Sequence, residues 1–183
     1  MKTIDQKIDA DTGLIIEECH RLNGRLHRDP NEGPAVIKRD VNGVRVEQYF
    51  WQGKLHRTDG PAVVERDTEG RLEQLAWFHQ GRHHRDDGPA LMIYERGGMF
   101  HSHSWYRHGE NHRDPNDGPA HIAFSDGVLD EVTYTCEGLD WRDPTQGPWQ
   151  TRYERGKVLW EEWAETASRP EPGQRTPSPS PQA

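Results

Sequence analysis

The sequence predicts an all-β protein, a tandem array of β-hairpins stacked into an elongated, twisted antiparallel sheet or a wrapped solenoid. Three observations carry that expectation. A unit centred on Gly-x-x-His-Arg…Gly-Pro-Ala returns at a near-constant period. Turn-forming pairs such as Asn42-Gly43 and Asp126-Gly127 recur inside each unit. The chain is also poor in apolar residues, 31% against 30% charged, yet it holds 7 Trp, 5 Tyr and 4 Phe. Disordered chains avoid aromatics; a thin, extended fold needs few buried side chains, and large ones.

The His-Arg position falls at His27, His56, His84 and His112, with Trp141-Arg142 as a decayed fifth copy. Between His-Arg and Gly-Pro the gap is short in copies two and three. It is longer where Asp29-Pro30-Asn31, Asp114-Pro115-Asn116 or Asp143-Pro144-Thr145 is inserted. Length variation in Asp, Asn, Pro and Gly marks a surface turn.

After each Gly-Pro comes a strand: Ala35-Val36-Ile37, Ala62-Val63-Val64, Ala90-Leu91-Met92-Ile93 and Ala120-His121-Ile122. Turns are expected at Asn42-Gly43, Glu69-Gly70, Gly97-Gly98, Asp126-Gly127 and Arg155-Gly156, because such pairs supply the positive φ angles of tight hairpins. A second strand then leads to the next Gly-x-x-His-Arg. Alternation puts Ala35 with Ile37, Ala62 with Val64, Ala90 with Met92 and Ala120 with Ile122 on one face. Four residues before each repeat glycine stand His20, Tyr49, Trp77, Trp105 and Tyr134, followed by Arg21, Phe50, Phe78, Tyr106 and Thr135. These columns read as stacked core ladders, since a lone hairpin is marginal and neighbours must stack.

Residues 1–165 are thus expected to form one five-copy repeat domain with capping hairpins at both ends. The first hairpin turns near Asp11-Thr12-Gly13. The last, around Arg155-Gly156, ends on Trp160 and Trp163, two tryptophans suited to covering a terminal apolar face. From residue 166 to 183 the chain is rich in Pro and Ser and reads as a disordered tail. At about 9–10 Å of rise per copy, Cys19 and Cys136 are too far apart for a disulfide.

The net charge of −8 works against non-specific nucleic-acid binding, which draws on clustered Lys and Arg. No run approaches 18 apolar residues, so no membrane insertion is expected. Met1 to Gln6 lacks the apolar core of a secretory signal, so a cytoplasmic location is expected.

The run Trp77-Phe78-His79-Gln80-Gly81-Arg82-His83-His84-Arg85-Asp86-Asp87-Gly88-Pro89-Ala90 resembles the MORN repeat, above all the MORN-variant arrays of bacteria and phages that carry His-Arg-x-Asp-Gly-Pro-Ala. The resemblance covers roughly residues 14–163. It differs from the eukaryotic pattern, where glycine would stand at Arg85, and its unit is longer. What it implies is a β-hairpin array used for interaction.

Four intact copies of His-Arg argue for a duty in the fold, since an enzyme needs one asymmetric constellation. His27, His56, His84 and His112 are expected to anchor turns through backbone hydrogen bonds, and Gly33, Gly60, Gly88 and Gly118 to be structural as well. Arg28, Arg57, Arg85, Arg113 and Arg142 are expected to pair with acidic residues of the turn or the adjacent copy. Alternatively, they form a row facing an anionic partner. His101 and His103, with His79 from a neighbouring strand, are a candidate zinc or copper half-site. No phosphate loop, Gly-x-Ser-x-Gly or His-Glu-x-x-His occurs. The expected function is therefore non-enzymatic and needs no cofactor: an interaction module or scaffold for a protein partner, with nucleic acid disfavoured. The alternatives are an anion- or metal-binding module built on the His-Arg rows, or a structural part of a phage or bacterial assembly. The histidine-rich third and fourth copies are where localised function is expected.

Overall fold

A computed structural model describes residues 1–40, 43–95 and 99–165. Asn42, Gly97-Gly98 and the expected tail lie outside the described residues.

The long strands follow one another in chain order through a single antiparallel sheet. The first hairpin is β1 (Lys2–Ile8) with β2 (Ile15–Leu22), and a short β3 (Arg25–Leu26) folds back on the end of β2. A 3-10 turn at Pro30–Glu32 leads into β4 (Val36–Asp40) and β5 (Gly43–Gln48). Each later copy then repeats two short strands followed by two long ones. β6 (Phe50–Trp51) and β7 (Lys54–Leu55) precede β8 (Val63–Arg66) and β9 (Leu72–Ala76). β10 (Phe78–His79) and β11 (Arg82–His83) precede β12 (Leu91–Tyr94) and β13 (Phe100–Ser104). β14 (Tyr106–Arg107) and β15 (Glu110–Asn111) precede β16 (His121–Ser125) and β17 (Val128–Thr133). β18 (Thr135–Cys136) and β19 (Leu139–Asp140) precede β20 (Gln150–Glu154) and β21 (Lys157–Glu162). With β1 and β21 as unjoined edges, the array is an open sheet and not a wrapped coil.

The short hairpins were not foreseen. The glycine of Gly-x-x-His-Arg was expected at a strand end, whereas it closes a turn of its own. Asn23-Gly24, Gln52-Gly53, Gln80-Gly81, His108-Gly109 and Glu137-Gly138 all have positive φ at both residues, the requirement of a type I′ hairpin turn. Only the first carries the favoured asparagine, which is why the signal was faint. Asp126-Gly127 and Arg155-Gly156 form the same turn between long strands, as expected. At Glu69-Gly70 a side chain shapes the turn instead: Asp67 Oδ1 accepts from the amides of Glu69 and Arg71, each at 2.9 Å.

Short hairpins also stack on one another. The amides of Gly53, Gly81 and Gly109 each donate 2.8 Å to the carbonyls of Leu26, Leu55 and His83, and Gly138 donates 3.0 Å to Asn111. Every long hairpin has a register shift just before its turn, as between Lys38 and Arg39 or Ile93 and Tyr94. Bulges of this kind raise local twist.

The interior is thin. Ala35, Ala62, Ala76, Ala90 and Ala120 are fully buried, with Val36, Val63 and Val64 close to it, while no large side chain is fully enclosed. The aromatic columns are half-buried, so they are a partial core. The closing hairpin also departs from expectation: Trp160 and Trp163 stay 43% and 49% exposed. Among the described residues no further hairpin pairs with β21. No helix among the described residues is long and apolar enough to cross a membrane. Cys19 and Cys136 form no disulfide.

Candidate functional site

The repeated histidines work between copies. His27 Nδ1 accepts from the amide of Gln52 at 3.1 Å, His56 from Gln80 at 3.3 Å, His84 from His108 at 3.4 Å and His112 from Glu137 at 3.0 Å. In each case the donor opens the type I′ turn of the next copy. Each imidazole must therefore be neutral at Nδ1, because a protonated ring would point N–H at N–H. Burial pushes His56 and His84 below the usual histidine range. His79, 4.8 Å from His56 between ring centres, adds to this, while Asp86 opposes it at His84.

The arginines turn back under the Gly-Pro-Ala segment. The guanidiniums of Arg57, Arg85, Arg113 and Arg142 lie 4.0–4.2 Å over Tyr49, Trp77, Trp105 and Tyr134. In the first copy the ring is His20, whose Nε2 stands 3.1 Å from Arg28 Nη1. Nη1 also donates to a proline carbonyl: Pro34 and Pro119 at 3.1 Å, Pro61 and Pro89 at 3.4 Å. This close approach explains the motif glycine. A Cβ at Gly60, Gly88 or Gly118 would come within 3.2, 3.1 or 3.0 Å of the copy's guanidinium.

Among the described residues the expected acidic partners are found in two copies. Arg57 pairs with Asp59 and Arg85 with Asp87, both at 2.9 Å. In the longer turns the aspartate follows the arginine directly and caps the backbone instead. Asp29, Asp114 and Asp143 each accept from the amide two residues on, at 2.9 Å. The arginine row is thus engaged within the fold, lying over rings and against carbonyls.

The proposed metal trio is not brought together. His101 Nδ1 is 3.0 Å from Glu95, His103 packs edge-on against Phe100 and Trp105, and His79 lies between His56 and His84. Among the described residues no group of three or more His, Cys, Asp or Glu side chains is placed to hold a metal ion. Sequence spacing cannot register the bulge that enters β13 at this point.

A different constellation emerges where the short hairpins meet the sheet. On one face the register aligns Val36 with Gln48, Val63 with Ala76, Leu91 with Ser104, His121 with Thr133 and Gln150 with Glu162. The short hairpins contribute the pairs Phe50–Leu55, Phe78–His83, Tyr106–Asn111 and Thr135–Asp140. Both rows change from apolar to polar along the array. Where they change there is a depression of about 430 Å³, lined by Leu91 and Ile93, by Ser102, Ser104, His121 and Thr133, and by Tyr106, Asn111, Thr135 and Asp140.

Its polar groups are set into the wall. Ser102, Ser104 and Thr135 are 6%, 5% and 4% exposed, unusual burial for hydroxyls in so thin a protein. Ser104 Oγ lies 2.7 Å from His121 Nδ1, and Thr135 donates to Asp140 at 2.9 Å. Burial pushes His121 below its usual range against the pull of Glu131. Glu131 is itself raised by burial, but hydrogen bonds from Arg152, Gln150 and Thr133 outweigh this and hold it low. Glu162 is raised, by burial and then by Asp140. The Ser104–His121 contact resembles the hydroxyl–imidazole pair of an activated nucleophile, with the serine embedded in the wall. No family model, curated protein or solved structure matches the chain.

The depression lies in the part of the array where localised function was expected, but it is lined by other side chains than His101, His103 and His79. The available signal was the run of polar residues, Ser104, His121, Thr133 and Gln150, where earlier copies carry Val36, Val63 and Ala76.

Proposed function

We propose that this protein is a non-enzymatic β-hairpin array that binds a protein partner along the trough between its long sheet and its short hairpins. One observation carries the reading: the repeating residues hold the copies together, while the trough residues change from copy to copy. Histidine, arginine and glycine recur because each spans a junction or fills a turn. The trough positions repeat no chemistry, which is how a scaffold acquires a surface specific to one partner. The likeness to MORN-variant arrays supports an interaction role, and a cytoplasmic setting suits the sequence.

The test is capture of partners on the full chain with carboxylate-directed cross-linking and mass spectrometry. The reading expects protein cross-links to Asp140, Glu131 or Glu162 along the trough. Recovery of a metal or a phosphorylated metabolite, with no cross-linked protein, sinks it.

A further inference from the structure

We propose that the depression between the third and fourth copies seats a lysine or arginine side chain presented by an extended segment of the partner. The inference rests on the protein-binding reading and assigns its chemistry. Leu91 and Ile93 give an apolar floor on which a methylene stem can lie, as long basic side chains do when their charged heads stay solvated. The Tyr106 ring stands on the wall, where a cation is favoured over its face.

The polar groups at the far side match a pure donor. Asp140 accepts one hydrogen bond, from Thr135, and its carboxylate retains further acceptor capacity. No ion pair to Asp140 is found among the described residues, so its charge is open to a cation. Ser102 lines the same depression, and its hydroxyl can accept from an incoming ammonium or guanidinium group. The chain's charge of −8 favours approach of a basic segment. A phosphate or carboxylate ligand would meet Asp140 with like charge.

The test uses the full isotopically labelled chain and three Gly/Ser-based dodecapeptides that carry alternating lysines, alternating glutamates or no charge. The lysine peptide is expected to shift the amide resonances of Leu91, Ser102, Tyr106 and Asp140 saturably, and the other two are not. Asp140→Asn keeps an acceptor for Thr135 and should weaken the lysine peptide at least fivefold. Ser102→Ala should weaken it at least twofold. Glu154→Gln, at the opposite end of β20, removes the same charge and should change the affinity less than twofold. Equal weakening by Asp140→Asn and Glu154→Gln overturns the assignment in favour of diffuse charge attraction. Shifts elsewhere on the trough, or stronger binding of the neutral or acidic peptide, overturn it and leave the partner reading standing. With no shift from any peptide the assignment falls, and the cross-linking experiment alone decides the partner reading.

Discussion

Replacing the motif glycines by alanine separates steric from conformational cost, because the copies differ in backbone geometry. At Gly60 the backbone lies outside the left-handed region, so a methyl meets only the Arg57 guanidinium at 3.2 Å. Displacing it by a few tenths of an ångström costs about 1 kcal/mol, at the low end for an overpacked methyl. Alanine also restricts the unfolded chain, which offsets about 0.4–1 kcal/mol. The net loss for Gly60→Ala should therefore be under about 1 kcal/mol by these terms. Gly118 has φ +120° and a nearest guanidinium contact of 3.0 Å. Gly33, its counterpart in the other intact long-turn copy, sits at φ 117° and ψ −171°, a region open essentially to glycine alone. Strain of about 1–3 kcal/mol then adds to a steric term of about 1–3 kcal/mol, so Gly118→Ala should cost roughly 2–6 kcal/mol before the same unfolded-chain offset of about 0.4–1 kcal/mol. Urea unfolding of the full chain, followed by tryptophan fluorescence, measures both. Equal losses at Gly60 and Gly118, or no loss at either, would refute the placement of arginine beneath the turn.

Acidification should loosen the array. Burial holds His56, His83, His84, His103 and His121 below the ordinary histidine value of about 6.5, so the unfolded chain binds protons first. Their contribution is fully present above pH 6.5 and is lost as the pH falls through the lowered folded values. Melting temperature should be flat from about pH 7 to 8 and fall below about 6.5, and His56→Phe with His84→Phe should flatten the acid limb; an unchanged slope in that double variant counts against the inter-copy bonds. Arg85→Lys keeps the charge but loses the planar stack on Trp77 and the bond to Asp87, and should cost about 1–2 kcal/mol in the same urea assay; stability equal to that of the parent chain would contradict the stack. Alkylation of the folded chain should modify Cys19 ahead of the buried Cys136, with both labelled in urea. Intact mass shows the order, and faster reaction at Cys136 would argue against its burial.

Much of the fold is legible in the sequence because its signals are local. A turn is specified by the residues that occupy it, so Asp126-Gly127, Arg155-Gly156 and the Asp-Pro inserts could be located from sequence. Alternation within a strand likewise put Ala35 with Ile37 and Ala62 with Val64. The short hairpins were obscure because Gln52, Gln80 and Glu137 are poor markers of a left-handed turn. The metal trio failed because His79 and His101 belong to different layers, and a bulge alters the facing of β13.

By itself, then, the sequence determined the period, the long hairpins and the constancy of His, Arg and Gly. The tertiary structure decided what those constants touch. His27 reaches the turn of the following copy, about 25 residues away, only once the short hairpins stack. The depression exists only because residues of the long and the short strands are brought to one wall. The trough's passage from Val63 and Phe78 to Ser104, His121 and Asp140 becomes a surface when those rows face one another. Local chemistry can specify a turn, but which side chains share a wall depends on register, bulges and the angle between two layers, and those are set by packing.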